Sequence, residues 1–128
     1  MTHVTIDFET KSYADLKKVG TWVYSRDVTT EVICLCYAVD DGPVYGWVPS
    51  GYPAGDGQLR ALASDPDVIF EAHNVAFEIS IWRNVMVKRY GWPDIPNERW
   101  RDSMAAACYY ALPAALDRLS RVLGFEGK

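Results

Sequence analysis

Val75, Ile79, Trp82 and Met86 recur at i, i+4, i+7 and i+11, one apolar stripe at the helical period. The helix they define opens at Asn74 and ends at Gly91-Trp92-Pro93. Directly ahead of it stands "VIFEA" (68–72), a short β-type run behind Pro66. A strand feeding straight into an amphipathic helix constrains the chain to an α/β arrangement, with the helix laid back on a sheet. With 128 residues the chain has length for one core, so residues 1–128 are expected to form a single domain.

Three strands precede this unit. "VTIDFET" alternates apolar and polar over residues 4–9, and "EVICLCYAV" (31–39) is β-branched and apolar. "VYGWV" (44–48) follows it across the turn residues Asp40-Asp41-Gly42-Pro43, at hairpin distance. Strands 1–3 therefore read as an antiparallel meander. Residues 15–25 read as a short mixed segment with a helical turn broken at Gly20. Pro49 to Gly57 reads as a loop and Gln58 to Ala63 as helix. "RWRDS" (99–103) is a candidate fifth strand, and helices at 103–111 and 114–123 follow, punctuated by Pro113 and Gly124.

Hydrophobic residues make up 49% and charged residues 23%, the balance of an ordinary globular domain. No apolar run reaches the ~18–20 residues of a membrane span, and no secretory signal opens the chain. Cys34, Cys36 and Cys108 are an odd number without zinc spacing, which points to a reducing cytoplasm. Cys34 and Cys36 share one side of their strand and read as small core residues. A net charge of -4 argues against a polybasic DNA coat but not against a nucleic-acid enzyme, because metal ions can bridge acidic site and acidic substrate.

The first strand carries two acids. Residues i and i+2 of a strand face one side, so Asp7 and Glu9 point together, roughly 6–7 Å apart at the usual rise. Val4, Ile6 and Phe8 face the core. The two carboxylates are either a solvated strand face or a pair whose repulsion a divalent cation relieves. In "HNVAFE", Asn74 and Glu78 lie on one side of the helix. Asn74 is expected to cap it. Glu78 falls at the flank of the apolar stripe; it is either a first-turn acid favoured by the helix dipole or part of a site at the carboxyl end of the sheet.

Together these segments resemble the DEDD superfamily of 3'–5' exonucleases, which has the ribonuclease H-like fold and four acidic metal ligands. The nearest likeness is to the proofreading domain of bacteriophage DNA polymerases of the family A type. "IDFET" matches the first motif, with Asp7 and Glu9 on its two ligands. "AHNVAFE" matches the second, with Asn74 and Phe77 in place and Glu78 where the family more often has Asp. "WRDSMAAACYYALPAALDRLSRVLG" resembles the segment between the second and third motifs, including Asp102. The resemblance implies a three-layer domain with a mixed five-stranded sheet. It also implies two Mg²⁺ or Mn²⁺ ions about 3.5–4 Å apart that clamp a terminal phosphodiester of DNA. Asp7 would bridge both ions, Glu9 would hold the first, and Glu78 would act through a water. Thr10 and Tyr13 would border the 3'-terminal nucleotide, with Asn74 beside them and Phe77 packed beneath.

The third motif, Tyr-x-x-x-Asp on a last helix, has no acceptable match. Tyr90 and Asp94 have the spacing, but Gly91 and Pro93 between them break a helix. Asp117 has no Tyr four before it. The expectation is a C-terminally truncated domain whose final helix is missing, leaving an apolar patch on the sheet. Its partners would be a single-stranded DNA 3' end, and a polymerase domain or another chain that supplies the last helix. The rival reading is a catalytically incomplete fragment that binds nucleic acid or protein; an unrelated metal-binding domain is a third. A phage-encoded chain would work in the host cytoplasm. His73 reads as a structural neighbour of the strand end rather than a base. Lys17-Lys18, Lys88-Arg89 and Arg99/Arg101 are candidate phosphate contacts or plain surface, and most aromatic residues read as core.

Overall fold

A computed structural model describes residues 1–49, 56–109 and 115–124. Residues 50–55 of the expected loop, residues 110–114 around Pro113, the Asp117 side chain and residues 125–128 lie outside the described set. The elements run β1 (His3–Lys11), α1 (Leu16–Arg26), β2 (Glu31–Val39), β3 (Val44–Trp47), α2 (Asp56–Ser64) and β4 (Ile69–Ala72). Then come α3 (Val75–Ile81), a π-helical segment (Trp82–Val87), α4 (Lys88–Tyr90), β5 (Trp100–Asp102), α5 (Ser103–Tyr109) and α6 (Leu116–Val122). The five strands form one mixed sheet in the order β3-β2-β1-β4-β5. Neighbours β1–β2 and β2–β3 are antiparallel, while β1–β4 and β4–β5 are parallel. This is the expected five-stranded α/β sheet with an antiparallel first half.

The alternation in β1 does what its pattern dictates. Val4, Ile6 and Phe8 are buried on one face, while Thr5 and Glu9 are exposed and Asp7 half-buried on the other. The buried face meets α1, α2 and the long helical stretch 75–90. Trp82 lies fully buried at its centre, with the rings of Phe8, Phe70, Trp92 and Trp100 around it. On the opposite face, Leu116 of α6 and Ser103 of α5 line a cavity with Thr5, Asp7 and Glu71. Helices therefore stand on both sides of the sheet.

Local signals place the helix ends. Asp15 caps α1 by accepting the Lys17 N–H, and Gly20 interrupts that helix with φ 81°, ψ 170°. Gly91 stops α4 in the left-handed region, so residues 90–94 cannot carry the third motif on a helix. Asp94 instead pairs with Arg83 at 3.5 Å. Inside the long helix the π segment widens one turn. Ile81, Trp82, Val85 and Met86 are buried there, so the stripe is broader than its i, i+4 reading, and Val75 and Ile79 pack only at its margin.

Two sequence expectations are corrected. Cys34 and Cys36 do share a face, but it is the face of Asp7 and Glu9 and not the core. The β1–β2 register pairs Asp7 with Cys36 and Glu9 with Cys34, then shifts so that Thr10 pairs with Val32. Ile33 is thus the extra residue of a β-bulge, which turns Val32 inward and both thiols outward. Arg99 is no phosphate contact. It is buried, and its guanidinium donates to the carbonyls of Val68, Ala63 and Leu62, closing the C-terminal end of α2. Arg99→Met is expected to destabilise the chain by about 3 kcal/mol, since each buried carbonyl left unpaired costs about 1–3 kcal/mol. The readout is a lower urea midpoint at unchanged slope; a loss under about 1 kcal/mol would mean that water replaces the guanidinium.

Candidate active site

The site forms where one ladder ends. Pairing of β1 with β4 runs from His3 to Thr5 and stops, because β4 ends at Ala72 and the chain turns into α3. Beyond Thr5 the edge of β1 faces the first turn of α3 instead of a strand. There the Glu78 carboxylate comes within reach of the Phe8 backbone N–H, which favours its charged form. Glu78 is thereby held at β1 between the positions of Asp7 and Glu9. It is 4% exposed, and its Oε2 has no hydrogen-bond partner. Burial raises its pKa from 4.5 to about 7, aided by the charges of Asp7 and Asp102 and opposed by backbone N–H bonds from Glu78 itself and Phe8.

Asp102 completes the framework from the far side. It ends β5, opposite Ala72 of β4, and its Oδ1 accepts the N–H groups of Asn74 and Met104 at 2.9 and 3.0 Å. One carboxylate thus ties the start of α3 and the start of α5 to the sheet. Asn74 holds the N-cap position of α3, with φ 64° and ψ 65° and no side-chain cap bond. The expected cap is therefore corrected: Asn74 takes the left-handed conformation without a side-chain cap bond, and Asp102 grips its backbone.

No family model matches the chain. A DNA polymerase of Bacillus phage SP02 is 32% identical over 124 residues, 96% of this chain and 18% of that polymerase. The chain thus spans less than a fifth of that relative. Among solved structures, the family B DNA polymerase of the hyperthermophilic archaeon Pyrobaculum calidifontis matches with a TM-score of 0.62 at 13% identity, over 96% of this chain and 18% of that one. The RNase domain of the yeast Pop2 protein matches at TM-score 0.57 and 13% identity, over 96% and 67%. These likenesses show that the chain has a ribonuclease H-like α/β fold.

Within this fold, Asp7 and Glu78 are brought together, and Glu9 stands one pleat further along the Asp7 face, exposed. Among the described residues no three His, Cys, Asp or Glu side chains already converge as a metal cage. Thr10 is half-buried and its Oγ1 bonds the Tyr24 hydroxyl at 2.9 Å. Tyr13 is 96% exposed and borders a cleft of about 450 Å³ with Lys11, Ser12, Thr29 and Glu31, at the carboxyl end of β1. Phe77 packs against Tyr24, with ring centroids 6.1 Å apart, beneath the site. Asn74 is exposed at the mouth of the helix. His73 Nδ1 lies 3.0 Å from Ser103 Oγ, and both line the cavity of about 290 Å³ that Asp7 also borders.

Two features of the site escaped sequence reasoning. Asp102 was legible as a landmark of the resemblance, but its double backbone grip depends on β5 lying beside β4. Cys34 and Cys36 reach the carboxylate face only through the bulge. The Cys34 thiol is pushed up in pKa, first by burial, then by its hydrogen-bonded neighbour Cys36 and the charges of Glu9 and Asp7.

Glu78 also sets a pH response. Its folded pKa lies above the unfolded value, so its contribution to stability is complete below about 4.5 and lost as pH rises through about 7. The metal-free chain is expected to melt lower at pH 8 than at pH 5, by roughly the few degrees that ~1–2 kcal/mol represents at this size. Glu78→Gln should flatten that dependence, and Mn²⁺ should restore the pH 8 melting point of the wild type only. An unchanged slope in Glu78→Gln would mean that another group carries it.

Proposed function

We propose that this chain is the metal-dependent 3'–5' exonuclease, or proofreading, domain of a phage-type DNA polymerase of the family A kind. It would hydrolyse 3'-terminal phosphodiesters of DNA. The observation that carries this reading is Glu78: a buried carboxylate with an orphaned oxygen, pressed against β1 beside Asp7. Such a group is costly to ionise unless a cation meets it. Its pKa near 7 fits a site that is incomplete without one. Asp7, Glu9 and Glu78 offer hard oxygen donors, the set that suits Mg²⁺ or Mn²⁺. When bound, two such ions would activate a water and steady the leaving 3'-oxygen.

The chain's own residues would do the rest. Asp102 would keep the start of α3, and so Glu78, at a fixed distance from β1. Tyr13 and Thr10 would receive the terminal nucleotide in the cleft at the end of β1, and Phe77 would support the helix from below. The single-domain reading of residues 1–128 belongs to the same proposal, with a polymerase domain or another chain supplying the last helix and its acid. So does work in a reducing cytoplasm, the host's if the chain is phage-encoded. Among the described residues no helix is long and apolar enough to cross a membrane.

The rival reading, a catalytically incomplete module that binds nucleic acid or protein, draws support from two observations. No three-acid cage is already convergent among the described residues, and Val44 (72% exposed) and Ile33 (51%) are uncovered hydrophobics on the antiparallel half of the sheet. A 5'-labelled single-stranded oligonucleotide separates the two. Stepwise shortening from the 3' end, dependent on Mn²⁺ and stopped by a terminal phosphorothioate, is expected of the exonuclease. Binding without shortening in both this chain and one extended by the last helix would favour the rival.

A further inference from the structure

Three cations meet in a cleft that the proposed hydrolysis does not use. Arg26 at the end of α1, Lys88 and Arg89 of α4, Val28 and Asn84 line about 230 Å³. Arg89 is fixed there, because its guanidinium donates to the carbonyls of Asp27 and Thr30. Arg26 and Lys88 are exposed, and neither is paired with an acid among the described residues. Asp27, the one acid in the turn 27–30, is occupied by the N–H and hydroxyl of Thr29. The floor is polar as well. Asn84 is 4% exposed, its Nδ2 donates to Ser25 Oγ, and its Oδ1 has no partner. In a chain of net charge -4, this concentration of positive charge marks a place for an anion.

Two neighbours say which anion. Trp22 is 47% exposed and stands four residues before Arg26, in the part of α1 that follows the Gly20 break. Residues so spaced share one side of a helix, so a partly open indole accompanies the cations. Exposed rings beside a cationic groove are the means by which proteins hold single-stranded nucleic acid: bases stack on the rings and the groove tracks the phosphates. The second neighbour is the cleft at the end of β1. Val28 lines the cationic cleft, Thr29 lines the cleft of Tyr13 and Lys11, and the Tyr13 N–H donates to Thr29 Oγ1. The turn 27–30 is thus the wall between the two clefts.

We infer that Arg26, Lys88 and Arg89, with Trp22 beside them, form a binding site for the backbone and one base of single-stranded nucleic acid. The strand lies over the turn 27–30, with its phosphates at the cations and a base against the indole. A bare phosphate would leave Trp22 unused, and an apolar protein surface would leave the cations unpaired. The place of this strand in the reaction rests on the proposed function: it is the stretch on the 5' side of the terminal nucleotide that the Tyr13 cleft receives. The helical path from Glu78 to Lys88 spans about 15 Å, or roughly four nucleotides at ~3.4 Å each. Strands longer than that reach both clefts, and shorter ones reach the Tyr13 cleft alone.

The test follows the fluorescence anisotropy of a 5'-labelled oligothymidylate long enough to span both clefts, in EDTA, so that no metal-dependent cleavage intervenes. Arg26→Gln/Lys88→Gln is expected to weaken binding about tenfold or more at about 0.1 M salt, and to lower the slope of log affinity against log salt by about 1.4, two contacts at ~0.7 each. Trp22→Ala should weaken it about fivefold or more, the low end for one stacked base. Arg118→Gln removes a like charge from exposed α6, across the sheet, and should change affinity less than about twofold, because salt screens distant charges. Circular dichroism confirms that the variants fold. An unchanged salt slope in the double variant overturns the site, and so does displacement of the strand by millimolar inorganic phosphate. Self-association that Trp22→Ala abolishes while strand binding persists also overturns it, because the indole then serves a second copy of the chain. The binding readout needs no nuclease activity. A chain that binds through these residues yet shortens no oligonucleotide refutes the proposed function alone, and an active chain whose variants bind as the wild type does refutes this site alone.

Discussion

Asp7→Ala is expected to lower the rate of 3'-mononucleotide release by at least about a hundredfold, a loss of a few kcal/mol of transition-state stabilisation. Asp7 sits on β1 just past the last residue paired with β4, on the face that carries Glu9 and within electrostatic reach of Glu78. It borders the cavity that His73 and Ser103 share. Removing it deprives the proposed ions of the ligand common to both. The measurement is Mn²⁺-dependent shortening of a 5'-labelled oligonucleotide, and it is best made in a chain carrying the family's last helix. The 128-residue chain alone is expected to be slow, because positioned ligands dominate two-metal catalysis. Asp7→Asn supplies the companion signature. Its neutral side chain relieves the repulsion of Glu78, so the metal-free variant should be more stable than the wild type near pH 8 while its activity falls. A residue with only a structural role would lose both. Robust release by Asp7→Ala would remove Asp7 from the mechanism.

Trp82→Ala is expected to cost about 3–5 kcal/mol, a large part of the 5–15 kcal/mol that holds a domain of this size together. The indole is fully buried where the π segment begins. Its ring centroid stands 5.6 Å from that of Trp92, 5.8 Å from Phe70, 6.2 Å from Trp100 and 6.4 Å from Phe8. Those rings come from β1, β4, β5 and the loop after α4, so one side chain joins both halves of the sheet to the long helix. Its Nε1 also donates to the Pro93 carbonyl at 2.9 Å, which fixes the return of the chain after Gly91. Truncation leaves a void that rigid neighbours cannot fill and an orphaned carbonyl. Trp82→Phe, which keeps most of the ring but not the donor, should cost about 1–2 kcal/mol. Chemical denaturation at fixed pH reads both values; a Trp82→Ala loss under about 1 kcal/mol would mean that the aromatic cluster repacks. Glu78 follows Phe77 in the same helix, so a loosened α3 should also raise the ion concentration needed for activity.

Much of this could be read from sequence, because it is recorded along single elements. The period-2 alternation of Val4, Ile6 and Phe8 determined which face of β1 is buried, and hence that Asp7 and Glu9 point together. The i, i+4, i+7, i+11 stripe determined that Trp82 and Met86 face inward. The order of strands and helices, with hairpin spacing at 39–44, determined an α/β sheet with an antiparallel first half. Only the tertiary structure decided what passes between elements. Thr5 is the last β1 residue paired with β4, which frees the Phe8 N–H for Glu78; nothing in either strand marks that end. The Ile33 bulge reverses the facing of β2, and in a run as uniformly apolar as "EVICLCYAV" periodicity has no contrast with which to show it. Arg99 reads as surface by residue type and is buried because three carbonyls of another segment wait for its donors. A side chain's type and spacing are local properties, but its burial, its partner and its charge state depend on which backbone groups a neighbouring element leaves unpaired.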